Sequence, residues 1–212
     1  MFMFRKSSKS ASQSSSHTRS DTWYQLKITL RGSKPPIWRR IVVPDCSLDH
    51  LHYAIQLAMG WHNSHLHDFE IGGRRFAGRE PLGGLVDSGF DDELDAAEYI
   101  LSDVVTQAKM KILYQYDFGD SWYHVVLVEK MLSSSPESPD DKKSQPFTCL
   151  AGKGACPPED CGGIWGYYNM LDILKDPKHP EHDDMKEWAG DIDPDTFDLA
   201  ETNERLSQIQ RR

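Results

Sequence analysis

From Trp23 the chain alternates at a period of two, with Tyr24, Leu26, Ile28 and Leu30 apolar and Gln25, Lys27 and Thr29 polar between them. That is the pattern of a strand with one buried face. Gly32 and Pro35-Pro36 interrupt it, and Ile37 to Val43 reads as the returning strand, closed by Pro44. Ser47 can cap a helix in which Leu48, Leu51, Ile55 and Ala58 recur at helical spacing until Gly60. Leu66, Phe69 and Ile71 predict a strand with an irregular start, ended by Gly72-Gly73. A short helix around Tyr99 to Thr106 leads into Lys109 to Tyr116 and Trp122 to Met131, a central hairpin. Helical periodicity returns over Ile164 to Leu174, then in short segments before Gly190 and from Asp193-Pro194 toward Leu206. The expected fold is α+β, a single domain over 22–208. Its mixed, mostly antiparallel sheet opens strand–strand–helix–strand, β-grasp-like, and helices follow at the C-terminal end.

Three stretches break the periodicity. Met1 to Ser20 is serine-rich, carries Arg5, Lys6, Lys9 and Arg19, and contains no acid. It has too little apolar surface to offset its ordering entropy, so 1–21 reads as a disordered tail. The same composition suits a targeting segment or a cloning remnant. Ser133 to Pro146 is serine, proline and mixed charge, and reads as a flexible excursion inside the domain. Asp87 to Glu98 is acidic and reads as a solvated loop.

Composition narrows the classes. The sequence has no apolar run near the roughly 20 residues needed to span a bilayer. The net charge of -9 opposes non-specific nucleic-acid binding, which needs cations to displace condensed counterions. The cysteines are Cys46, Cys149, Cys156 and Cys161, and the apolar start Met1 to Phe4 is too short for a secretory leader. The expectation is a cytoplasmic protein with free thiols and no membrane contact.

Three groups of residues could carry chemistry. In the hairpin turn, Gly119-Asp120 is expected to supply the positive φ of a tight connection. Asp117, Asp120, Trp122 and His124 then cluster at the sheet end, suited to metal ligation or acid–base work, or simply to capping the turn. His65 and His67 share a face if both lie in a strand. With Asp117 or His124 they would make a divalent metal site, zinc by donor type. Cys149, Cys156 and Cys161 are spaced C-x6-C-x4-C, the first gap longer than the gaps of about two to four in zinc ribbons, and make an alternative, weaker ligand set. Arg39, Arg40, Arg74 and Arg75 are the basic spots, a nucleic-acid contact if they share a face and salt-bridged surface otherwise.

In order, the chain carries Pro36-Ile37-Trp38-Arg39-Arg40, Leu51-His52 to Ile55-Gln56, Gly60-Trp61, His65-Leu66-His67-Asp68-Phe69, Tyr116 to Trp122 with His124, and Cys156-Pro157-Pro158-Glu159-Asp160-Cys161-Gly162-Gly163. Over roughly Trp23 to Leu206 this series resembles the plasmid pRiA4b ORF-3-like family, some members of which carry the label of transposon passenger proteins of the TnpR type. The acidic Asp87–Glu98 stretch and the long Ser133–Pro146 excursion depart from that pattern. The resemblance implies the α+β fold and a mobile-element association. It implies no recombinase chemistry, because the serine-among-arginines arrangement of a resolvase is missing. Three functions follow as expectations. The first is a non-enzymatic binding or regulatory module with a protein partner, using His65, His67, Asp117, Asp120, Trp122, His124, Glu159 and Asp160 as its polar surface. The others are a metal-dependent hydrolase or nuclease on the same groups, and a DNA-contacting accessory of transposition or recombination.

Overall fold

A computed structural model describes residues 21–78, 93–133 and 147–209. The expected tail and excursion lie, apart from Asp21 and Ser133, outside the described residues, as do residues 87–92 of the acidic stretch. The architecture is α+β, built on one eight-stranded sheet that runs, edge to edge, Leu94–Asp95 (β5), Arg74–Ala77 (β4), His67–Ile71 (β3), Lys111–Tyr116 (β6), Trp122–Leu132 (β7), Trp23–Leu30 (β1), Trp38–Pro44 (β2) and Thr148–Lys153 (β8). Neighbouring strands run antiparallel except β4 and β5.

The chain opens strand, strand, helix, strand. β1 (Trp23–Leu30) buries Tyr24, Leu26, Ile28 and Leu30, as its alternation dictates, and pairs with β2 (Trp38–Pro44) on one side. Helix α1 (Leu48–Met59) starts where Ser47 Oγ accepts from the His50 amide and stops at Gly60, whose φ of 96° suits glycine. Its buried side carries Leu48, Leu51 and Ile55 together with two polar residues, His52 and Gln56. β3 (His67–Ile71) turns through Gly72-Gly73 into β4 (Arg74–Ala77).

β5 (Leu94–Asp95), a 3-10 turn (Ala96–Glu98) and the one-turn helix α2 (Leu101–Val104) lead to the central hairpin. That hairpin is β6 (Lys111–Tyr116) and β7 (Trp122–Leu132), with Tyr116 opposite Trp122. β7 also pairs with β1, so the hairpin sits mid-sheet. β8 (Thr148–Lys153) closes the edge beside β2. Then come α3 (Gly163–Lys175), α4 (His182–Ala189) and α5 (Leu199–Leu206).

The sequence pattern did not disclose β4, β5 or β8. β4 and β5 are short, and β4 begins with two arginines. β8 has one buried apolar side chain, Cys149, and a glycine, so it shows no clean period. Gly152 is needed there, because a Cβ would come within 2.6 Å of the Phe197 ring. α5 seats against this edge through Asn203, whose Oδ1 accepts from the Cys149 amide (2.7 Å) and whose Nδ2 donates to the Cys149 carbonyl (3.0 Å). Among the described residues, no helix is long and apolar enough to cross a membrane.

Candidate functional site

The turn between β6 and β7 departs from the tight glycine hairpin expected of it. Asp117 (φ 57°) and Ser121 (φ 55°) take the left-handed conformation, and Gly119 does not. The Ser121 amide donates to the Asp117 carbonyl at 2.7 Å, so five residues close one wide turn. Asp117 tolerates positive φ because its Oδ1 accepts from the Gly119 amide (2.8 Å) and the Asp120 amide (3.3 Å). That fixes the carboxylate and leaves Oδ2 facing away from the turn.

The Cys156–Gly163 loop docks on this turn. Asp120 Oδ2 accepts from the Gly162 amide at 3.0 Å. Gly162 (φ 87°) and Gly163 (φ 67°) take a left-handed backbone that side chains resist, and a Cβ on Gly163 would stand 2.3 Å from the Asp120 carbonyl oxygen. The loop also reaches the segment after α1. Trp61 Nε1 donates to the Pro157 carbonyl (2.9 Å), and the His62 amide donates to Glu159 Oε2 (3.0 Å). Tyr116, the last residue of β6, joins all three pieces. Its hydroxyl accepts from the Ser64 amide (2.8 Å) and His65 amide (3.3 Å) and donates to Glu159 Oε1 (2.5 Å). Burial, and after it the Glu159 carboxylate, pushes the phenol pKa up and keeps it protonated for that donation.

At the rim of this corner three candidate residues meet. His65 Nε2 lies 3.0 Å from Asp160 Oδ1 and 3.7 Å from Asp117 Oδ2. The expected pairing of His65 with His67 is corrected, because His65 precedes β3 and the two rings do not share a strand face. His67 points inward and stacks on His52, with ring centroids 3.4 Å apart and planes 2° from parallel. Gly78 closes over it, since a Cβ there would stand 2.1 Å from the His67 ring. His124 and Trp122 point into the core, as the strand alternation predicts, and His124 Nδ1 donates to the Trp122 carbonyl at 3.0 Å. Neither His67 nor His124 joins the group around Asp117.

Beneath the rim, polar groups form a closed ring. Gln56 Nε2 donates to the Tyr114 hydroxyl (2.9 Å), which donates to His52 Nδ1 (2.8 Å). His52 Nε2 donates to Asn63 Oδ1 (2.6 Å), and the Asn63 amide donates to Gln56 Oε1 (3.2 Å). Burial lowers the His52 pKa to about 4, so the imidazole is neutral and the proton sits on Nε2. His67 is lowered well below its ordinary value by burial and by His52, and burial takes His124 to about 4.

Sequence reasoning missed His52, Gln56, Asn63 and Tyr116 as members of this site. A polar pair at i and i+4 on the apolar side of α1, His52 and Gln56, was the available signal.

The thiols make no ligand group among the described residues. Cys149 lies in β8, and burial pushes the Cys161 thiol up to about 12. The arginines do not form one basic face. Arg39 is 3% exposed and donates to the carbonyls of Ala58, Trp38 and Lys153, while Arg40, on the opposite face of β2, pairs with Glu129 at 2.6 Å. Arg75 pairs with Asp68 and Glu93, and Arg74 lies over Phe76 and Tyr99.

The corner is built from Trp61, His65, the Tyr116–Trp122 turn and the Cys156–Gly163 loop. Residues 22–201 match the family model described as plasmid pRiA4b ORF-3-like protein. The chain belongs to that family. A similar protein is the uncharacterized protein y4hQ of Sinorhizobium fredii, 38% identical over 191 residues, which are 88% of each chain. A similar crystal structure is the protein of unknown function MM3350 from Methanosarcina mazei Go1, with a TM-score of 0.70 and 38% identity over 85% of this chain and 97% of that one. Both of these similar proteins are described as uncharacterised or of unknown function, and the likeness shows the fold without assigning an activity.

Proposed function

We propose that this ORF-3-like protein is a non-enzymatic binding module that takes a cationic peptide segment in the cleft beside the corner. The observation that carries this reading is the charge of the wall. A cleft of about 750 Å³ runs from Trp61 and Glu159 to the C-terminal helices, with Asp160, Asp191, Asp193, Asp198 and Glu201 along it. Its two arginines are already engaged, Arg39 with backbone carbonyls and Arg205 with Glu201 at 2.6 Å. Trp188 lines the same cleft with half of its surface exposed, 52%, and offers a ring face to a lysine or arginine. An acidic, aromatic wall favours a basic ligand and repels phosphate backbones.

A labelled lysine- and arginine-rich peptide is the test, with a glutamate-substituted peptide of the same length as control. Saturable binding of the basic peptide, weakened by salt and by Trp188→Ala and Asp191→Asn, is expected. Equal binding of both peptides, or binding of neither, overturns the reading.

A second reading, a metal-dependent hydrolase or nuclease, is favoured by the approach of His65 to two carboxylates. It calls for turnover of activated esters or nucleic acid that begins only when a divalent metal is supplied. The acidic cleft works against a polyanionic substrate and leaves esters and amides as the substrates to assay.

A further inference from the structure

We infer that His65, Asp117 and Asp160 hold one divalent transition-metal ion of the zinc class, bound through His65 Nε2, Asp117 Oδ2 and Asp160 Oδ1. The inference does not rest on the peptide reading, since the cleft keeps Glu159 and the acids of the C-terminal segment whether or not an ion sits at the corner.

Three observations lead to it. The first is spacing. The three ligand atoms lie within 4.8 Å of one another, with the nitrogen 3.0 and 3.7 Å from the two oxygens. Ligands held at about 2.0–2.2 Å by one ion stand roughly 3.0–3.6 Å apart, so drawing the two carboxylate oxygens in around the nitrogen completes the set.

The second is aim. Two turn amides hold Asp117 Oδ1, which orients Oδ2 toward the imidazole. Asp160 takes a left-handed backbone (φ 61°) in the short stretch between Glu159, tied to Tyr116, and Gly162, tied to Asp120. His65 is placed by its amide on the Tyr116 hydroxyl and by its ring edge against the Tyr116 ring, 5.7 Å between centroids. Groups that orient ligands in this way are what a metal centre requires around it.

The third is an unmet need. His65 Nε2 is screened from solvent yet makes no hydrogen bond in line with either carboxylate, despite its closeness to both. A shielded polar nitrogen without a hydrogen bond is costly, and an ion between the three groups satisfies it.

The donor types select the ion. One imidazole and two carboxylates suit zinc or a similar borderline ion better than calcium, which prefers oxygen alone, or copper(I), which prefers sulfur. Cys161 stands outside the set, because its thiol lies 3.9 Å from the Gly163 carbonyl and is not among the ligand atoms that gather around His65. Three protein ligands leave a coordination position open toward the rim, and Asp160 is shared with the wall of the cleft.

The test uses the full chain stripped with a chelator and titrated with Zn2+ by calorimetry, and with Co2+ as an absorbing probe of coordination. One ion per chain, a higher Tm with Zn2+, and a shifted His65 ring signal in NMR are the expected results. Asp160 has a 69% exposed side chain, so Asp160→Asn should fold normally and lose affinity by roughly tenfold or more. His65→Gln should abolish binding, whereas Asp193→Asn, in the cleft but outside the set, should not change it. No saturable binding, or equal affinity in Asp160→Asn and the parent, overturns the inference. So does an unmoved His65 signal in excess Zn2+, which would make His65 simply the ion-pair partner of the two carboxylates.

Discussion

The Tyr116 hydroxyl donates to Glu159 Oε1 at 2.5 Å and so clips the end of β6 to a loop 43 residues further along the chain. Because the same oxygen accepts the Ser64 and His65 amides, one phenol holds the positions of His65 and of the loop bearing Asp160.

Tyr116→Phe removes that oxygen and keeps the ring that stacks on Trp61 at 5.1 Å. Glu159 and two amides lose a partner, so the variant should be less stable by roughly 1–3 kcal/mol in urea denaturation. Amide exchange at Ser64, His65 and Asp160 should rise more than exchange in β1. Unchanged exchange at those sites would remove Tyr116 from the role of clip.

Gly163→Ala tests the docking of α3 on the hairpin turn. The new Cβ would stand 2.3 Å from the Asp120 carbonyl, at a φ of 67° that alanine resists. A loss of about 1–3 kcal/mol is expected. Gly73→Ala has a similar φ of 78° but meets nothing within 4 Å, so it should cost less. Equal losses would show that strain alone, and not contact, governs Gly163.

Acid should unfold the protein earlier than its carboxylates alone would dictate. His52 and His124 have folded pKa values lowered by burial to about 4, against 6.5 in the unfolded chain. Between those values the unfolded state binds more protons, so their contribution is full above about pH 6.5 and is lost as pH falls toward 4. Each imidazole accounts for up to roughly 3 kcal/mol of that loss. Urea midpoints measured from pH 7 to pH 4.5 should fall steeply, and His52→Gln should flatten the slope. A parental midpoint flat across that range would contradict the neutral, buried state of these rings.

Duplex DNA should not bind. Arg40 and Arg75 are paired with carboxylates, Arg39 is buried among carbonyls, and the net charge is -9. A gel-shift experiment at low salt should show no retardation. Retardation that weakens steeply with salt and is reduced by Arg40→Ala and Arg74→Ala would restore the nucleic-acid reading.

The legibility of this chain differs between its elements. The alternation in β1 and β7 and the helical spacing in α1 were readable because each buries one face along its length, and burial imposes a period. β8 was not readable, because it holds its edge through Asn203 on the Cys149 backbone and through Gly152 beneath Phe197. Those contacts leave no apolar pattern. In the candidate site, Asp117 and Asp160 stood out by residue type. The pairing of His65 with His67 followed from assuming that the strand began before His67, and a start two residues later sends one ring to the rim and the other against His52.

By itself, then, the sequence determined the α+β class, the order of the main elements, and the family, because local periodicity and an ordered set of short motifs are properties of the chain alone. Only the tertiary structure decided which polar residues meet. His65, Asp117 and Asp160 come from three segments that share no spacing. They are brought together by the Tyr116 clip, by Gly163, whose missing side chain lets a loop approach the Asp120 backbone, and by the direction a wide turn gives to one carboxylate oxygen.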